Sequence, residues 1–184
     1  MKKVTIVNVV ATATLNQEVD LFELAQFREI LHDPEIYCGR VAYFKSPTMK
    51  GKVTIFPSGK LISVGTKSEK EAAHELALLE RFLVEKDLVK PVKLQPKIQN
   101  IVATGQLDES PNLEELAVAC HMIYEPEQFP GGILKIEEPF KTTILVFASG
   151  KFVITGLKSS TQIKPTLQAL TDLITACSSE RSAR

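Results

Sequence analysis

Apolar and polar positions follow one long pattern in this chain, and the pattern is written twice. The run Ile6-Val7-Asn8-Val9-Val10-Ala11-Thr12 returns 92 residues later as Ile98-Gln99-Asn100-Ile101-Val102-Ala103-Thr104. The same offset joins Leu21 to Leu113, Glu23 to Glu115, Pro34 to Pro126, Gly39 to Gly131 and Pro47 to Pro139. One residue is then inserted near Gly51. From there Phe56-Pro57-Ser58-Gly59-Lys60 matches Phe147-Ala148-Ser149-Gly150-Lys151 at an offset of 91. About a quarter of the aligned positions are identical in register over the whole half-chain, which chance does not produce. Two copies are too few for a solenoid and indicate a duplicated domain with pseudo-twofold symmetry. The boundary falls near Lys90-Pro91-Val92-Lys93, giving repeats 1–93 and 94–184.

Each repeat predicts the order β-α-β-β-β-α. A strand over residues 4–14 (97–106) leads to a short helix opened by Asp20 (Asn112), a good N-cap, with Glu23 (Glu115) three residues on. A Pro- and Gly-bearing loop precedes three strand-like runs at 40–44, 53–56 and 60–64, repeated at 133–136, 143–147 and 152–155. Ser-Gly-Lys makes the hairpin turn between the last two. A longer helix closes each repeat. Ser68-x-x-Glu71 and Ser159-x-x-Gln162 read as capping boxes. Ala72, Leu76, Leu79 and Leu83 recur at helical spacing, as do Leu167, Leu170, Ile174 and Cys177. Pro165 displaces the first turn of the last helix toward Thr161. The class is α+β, with antiparallel sheets covered by helices on one face.

Such a sheet should alternate apolar and polar. These strands do not. In Thr143-Ile144-Leu145-Val146-Phe147 both parities are largely apolar, as they are in Asn8-Val9-Val10-Ala11 and Phe152-Val153-Ile154. Two helices per repeat cannot cover both faces, so an apolar face marked by Asn8, Asn100 and Thr155 is left over. Either it is an open binding surface, or the half-sheets stack as a sandwich. The Asn pair favours the open face, since buried amides need partners.

Composition narrows the function. The 184 residues carry 22 Lys+Arg against 22 Asp+Glu, a formal net charge of +0. Hydrophobic residues at 44% can bury a core, so disorder is not expected. A bulk basic excess, the usual footprint of a nucleic-acid binder, is absent, so any positive site is local. No stretch approaches the roughly 18 apolar residues of a membrane span. Met1-Lys2-Lys3 leads straight into a strand pattern rather than a signal peptide. Cys38, Cys120 and Cys177 lack CxxC spacing, which suggests neither a disulfide framework nor zinc and fits a reducing cytoplasm. His32, His74 and His121 share no ligand spacing, and no nucleophile constellation or phosphate-cradling Gly loop is present. No cofactor or metal is expected, and an enzymatic or ligand-binding domain is the weaker alternative.

The chain resembles the TATA-box-binding proteins of archaeal type. The resemblance rests on Val7-Asn8-Val9-Val10-Ala11-Thr12, Ile98-Gln99-Asn100-Ile101-Val102, Tyr124-Glu125-Pro126-Glu127-Gln128-Phe129-Pro130-Gly131, Val146-Phe147-Ala148-Ser149-Gly150-Lys151 and Val153-Ile154-Thr155-Gly156-Leu157-Lys158. It implies a saddle: a curved ten-stranded antiparallel sheet with four helices on the convex face and DNA on the concave one. It implies no enzymatic activity. The expected function is general transcription initiation: binding an A/T-rich promoter box in the minor groove, bending it by aromatic wedging, and recruiting transcription factor B and, through it, RNA polymerase. The expected place is the nucleoid in the cytoplasm of an archaeal cell. No membrane partner is implied, and the concave face, when free of DNA, is a surface for self-association.

The resemblance also assigns residues. Phe129 and Phe147 form one wedge pair; Tyr37 and Phe56 form the other. Asn8 and Asn100 are the central pair, whose amides suit the A N3 and T O2 acceptors that A·T and T·A share. Val10, Val102, Ile62, Val153 and Leu145 line the groove, and Thr155 hydrogen-bonds there. Lys60, Lys67, Lys151 and Lys158 meet phosphates, and Lys135 holds a basic position. Glu125 and Glu127 face transcription factor B. The departures lie in repeat one: Thr54 where the family has Leu, Val64 where it has Thr, Tyr43 in place of a basic residue, and the insertion at Gly51. They leave open a diverged paralogue that works mainly through protein partners, with weak DNA binding of its own. The balanced charge then means a basic rim on one side and acidic surfaces elsewhere, among them the closing helix of repeat one with Glu69, Glu71, Glu75, Glu80 and Glu85.

Overall fold

The computed structural model describes residues 4–179. Met1-Lys2-Lys3 and the side chain of Cys177 lie outside the described parts. The first repeat runs β1 (Thr5–Thr14), α1 (Leu21–Leu24), β2 (Ile30–Leu31), β3 (Ala42–Phe44), β4 (Lys52–Ile55), β5 (Lys60–Thr66) and α2 (Glu69–Glu85). The second runs β6 (Lys97–Gln106), α3 (Leu113–Ala119), β7 (Gly131–Ile136), β8 (Thr142–Phe147), β9 (Lys151–Leu157) and α4 (Ile163–Ser179). Asn8–Gln99 forms one compact unit, and the described residues before and after it form the other.

Within the first unit the strands lie in the order β2-β3-β4-β5-β1; within the second, β6-β9-β8-β7. The pairings inside each unit are antiparallel. The described residues thus hold nine strands where ten are expected. The tenth place is a lone bridge, in which Ile123 N–H donates to the Ile133 carbonyl at 3.0 Å and Ile133 N–H returns the bond at 2.8 Å. Its counterpart β2 is two residues long, too short to leave a period in the sequence.

The N-caps lie where the sequence puts them, but of the capping boxes read from it one is complete among the described residues. Asp20 accepts from Phe22 N at 2.9 Å, and Asn112 accepts from Glu114 N at 3.1 Å. Ser159 and Gln162 form a full capping box around a first turn at Ser160–Gln162, and Pro165 sits early in α4, where a missing N–H does no harm. Ser68 caps α2, but Glu71 does not close the box; its carboxylate takes Lys67 N–H at 2.9 Å and pairs with Lys50. In α2, Ala72, Leu76, Leu79 and Leu83 are all fully buried, each of the leucines contributing about 1.5–3 kcal/mol. In α4 the buried stripe is Thr166 and Leu170, with Leu167 and Ile174 half-buried.

Strand register corrects the placement of the insertion. In repeat two, Gly131 faces Phe147, Ile133 faces Leu145 and Lys135 faces Thr143. In repeat one, Tyr43 faces Thr54 and Ala42 faces Ile55. Thr54 is the counterpart of Leu145, so Tyr43 occupies the place of Ile133, and Lys45 that of Lys135. Leu31 bridges Tyr43 as Ile123 bridges Ile133. The additional residues, two of them, therefore lie between β2 and β3 and not near Gly51. Equal Pro47 and Pro139 spacing hid this, because the β3–β4 connection is one residue shorter than its counterpart. The long segment is tied at its ends by His32 Nδ1–H, which donates to the Val41 carbonyl at 3.0 Å. One further expectation fails: Cys120 is disulfide-bonded, whereas Cys38 is free and exposed. No spacing motif marks that bond.

Candidate nucleic-acid interface

In each unit one parity of the strands is buried and the other is half-exposed. In β8, Thr142, Ile144 and Val146 are buried, while Thr143, Leu145 and Phe147 are half-exposed. In β4 and β5, Val53, Ile55, Leu61 and Ser63 are buried against α2, and Thr54, Ile62 and Val64 are half-exposed. This is the open-face alternative, since a sandwich would bury both parities. Register assembles the half-exposed side chains into matching rows. One is Tyr43–Thr54–Ile62–Thr12; the other is Ile133–Leu145–Val153–Thr104. Val10 and Val102 have the same half-exposure. Thr12 and Thr104 share this face and were missed; parity with Asn8 and Asn100 would have found them.

Asn8 and Asn100 are oriented by the backbone. Gly65 N–H donates to Asn8 Oδ1 at 2.8 Å, and Gly156 N–H donates to Asn100 Oδ1 at 2.8 Å. A backbone N–H can only donate, so the oxygen must face the glycine and the amide NH2 must face away from it. Both glycines have left-handed φ, 96° and 97°, beside a break in strand register. That conformation favours glycine and re-aims the ladder. Asn100 Nδ2 also lies 3.2 Å from Thr155 Oγ1; Val64 offers Asn8 no such hydroxyl. The result is a donor on each repeat, held among the half-exposed valines, leucine, isoleucines and threonines of that repeat's face.

The aromatic pairs differ. Phe129 and Phe147 meet edge to face with centroids 5.8 Å apart. They do so over Gly131, where an added Cβ would stand 2.9 Å from one ring and 3.0 Å from the other. Phe56 is half-exposed on its face. Tyr37 is 70% exposed and has no ring contact with Phe56 among the described residues. The two additional residues are absorbed in a turn where Tyr37, Cys38 and Gly39 all have left-handed φ (50°, 54° and 67°). Tyrosine in that region is costly, so the turn is held by its surroundings. Val41, one step beyond the Ala42–Ile55 pair, stands where repeat two has Gly131.

Lys60 and Lys151 open β5 and β9, Lys67 and Lys158 follow those strands, and all four are exposed, as is Lys135. Tyr43 does not replace the basic residue, as alignment suggested. Lys45 occupies that place, but its ammonium turns back to the carbonyls of Met49, Lys50 and Gly51. Lys52 was missed, although it alternates with Thr54 and Phe56 and so shares their face; its ammonium sits 4.1 Å from the centre of the Tyr43 ring. Glu125 and Glu127 are exposed in the turn that also carries Phe129, whose N–H donates to the Glu125 carbonyl at 2.9 Å. Lys50 and the Lys67 backbone N–H hold the Glu71 carboxyl below its ordinary range. The described residues contain no group of His, Cys, Asp and Glu able to hold a metal ion. No helix among them is long and apolar enough to cross a membrane.

Comparison with known proteins agrees with this geometry. The family described as "Transcription factor TFIID (or TATA-binding protein, TBP)" matches residues 3–85 and again residues 95–177. The TATA-box-binding protein of Methanocaldococcus jannaschii is 40% identical over 176 residues, covering 94% of this chain and 93% of that one. The TATA-box-binding protein of Cenarchaeum symbiosum is 38% identical over 162 residues, covering 86% and 87%. The solved structure of Methanococcus jannaschii TBP superposes with a TM-score of 0.85 at 34% identity, covering 95% of this chain and 99% of that one. Matched in both repeats and along nearly its whole length, the chain belongs to the TATA-binding protein family, which comprises transcription factors and not enzymes.

Proposed function

We propose that this chain is a general transcription initiation factor that binds an A/T-rich promoter box in the minor groove, bends it, and presents it to transcription factor B and RNA polymerase. The carrying observation is the Asn8 and Asn100 pair, each amide oriented by a glycine N–H so that its NH2 donates outward. In the minor groove A·T and T·A offer acceptors at the same places, whereas G·C adds a donor that would oppose these amides. The surrounding Val10, Val102, Ile62, Val153 and Leu145 supply apolar contact, and Phe147 with Phe129 supplies a wedge. Unstacking a base step costs a few kcal/mol, which apolar burial at about 25 cal/mol per Å² offsets once a few hundred Å² are covered. Lys60, Lys67, Lys135, Lys151 and Lys158 neutralise phosphates; Glu125 and Glu127 are left to a basic partner. The place of action is the nucleoid of the cytoplasm. A gel-shift series with a TATA duplex and a G·C-scrambled duplex tests the reading, first alone and then with transcription factor B. Preferential binding of the TATA duplex is expected; equal binding, or none even with the partner, overturns it.

A further inference from the structure

At the register position where the second repeat has Thr143, with Lys135 across from it, the first repeat has a lysine of its own. Register pairs Lys52 with Val64, and at the same place in repeat two it pairs Thr143 with Thr155. Lys52 lines a cleft with Arg28, Lys45, Lys50, Tyr43 and Val64. The other cations of that cleft are committed. Arg28 pairs with Glu29 at 3.2 Å, Lys50 pairs with Glu71, and Lys45 is spent on three loop carbonyls. Lys52 has no carboxylate partner among the described residues; its ammonium rests on the Tyr43 ring at 4.1 Å. A cation held on an aromatic face keeps its charge and its three donors available while losing little freedom on binding. Tyr43 is in position for this because the two residues added before β3 put it opposite Thr54. Tyr37 and Phe56 line one cleft without a ring contact among the described residues, and Val41 stands where Gly131 lets the other pair close.

Resting on the minor-groove reading above, we infer that Lys52 is a phosphate-contacting residue for which the second repeat has Thr143, so that the first repeat adds a charge to its hold on DNA while the second adds a closed ring pair. The backbone phosphates bordering the groove are the anions that this face meets. The test measures affinity for a TATA duplex across salt concentrations, with end-to-end fluorescence transfer reporting the bend. Each neutralised phosphate contributes about 0.9 to the slope of log K against log salt. Lys52→Gln is expected to reduce the slope by about that amount, and Lys52→Arg to restore it. Phe129→Ala is expected to act on the bend and to weaken binding roughly tenfold more than Tyr37→Ala. An unchanged slope in Lys52→Gln, or equal losses of bend from Tyr37→Ala and Phe129→Ala, overturns the inference and leaves the DNA reading standing. Failure of the unmutated chain to prefer the TATA duplex overturns that reading instead.

Discussion

The two repeats keep the same polar anchor and differ in what surrounds it. Asn8 and Asn100 each lean on a glycine N–H at 2.8 Å, and Gly65 and Gly156 share a φ near 97°. On the same face the second repeat closes two phenylalanines over Gly131, and the first has an exposed tyrosine, a valine and an extra lysine. A duplicated domain can thus keep the same oriented amide in both copies while the aromatic and charged residues proposed to wedge and neutralise DNA differ. The drift has a physical origin in chain length. Two residues added between β2 and β3 move every later side chain of that strand by one full pleat repeat, which preserves the face and changes the occupant.

The largest effect should come from the wedge. Phe147→Ala removes half of the 5.8 Å ring pair and should weaken TATA binding by about 1–3 kcal/mol per unstacked base while reducing the bend. Phe56→Ala, with no ring partner to disrupt among the described residues, should cost less; equal losses in a binding titration would erase the difference between the repeats. Stability comes next. Glu75 is buried and accepts Lys50 N–H at 2.8 Å and Gly51 N–H at 2.9 Å, fixing the β3–β4 connection of repeat one on α2. Glu75→Ala orphans both groups at about 1–3 kcal/mol each, so thermal unfolding should fall by several degrees. Gly51→Ala acts at the same place, since an added Cβ would lie 2.3 Å from the Val64 carbonyl. The smallest effect is acid-side. The Glu71 carboxyl is held below its ordinary 4.5 by Lys50 and then by the Lys67 N–H. Its contribution is present above that ordinary value and is lost as pH falls through the lowered one. Glu71→Gln should lower stability above about pH 4.5, neutrality included, and the two proteins should converge as pH falls through the lowered value, as read by denaturant titration.

Much of this was legible in the chain. The 92-residue repetition, the Asp20 and Asn112 caps, the heptad-like stripe of α2 and the apolar parity of β8 each follow from one local rule, and each is found in the fold. The Asn pair was legible because symmetry places the same amide twice on an apolar face. What the pattern did not carry depends on pairing across strands. Tyr43 and Lys45 are assigned by which residue of β4 they face, and a gap can slide along an alignment without changing its score. Lys52 was hidden for the opposite reason: a lysine at a strand start reads as solvated until the ring beneath it is seen. The two-residue β2 and the lone Ile123–Ile133 bridge are too short for any period, and the Cys120 disulfide lies in no motif.

The central claim is that the two oriented amides read the floor of the minor groove. Replacing A·T pairs of the box by I·C alters the major groove to resemble G·C while leaving the minor groove without the guanine amino group. The account predicts that affinity for the I·C duplex stays close to that of the TATA duplex, whereas G·C replacement loses about 1–3 kcal/mol per substituted pair. An I·C duplex bound as poorly as the G·C duplex would contradict it.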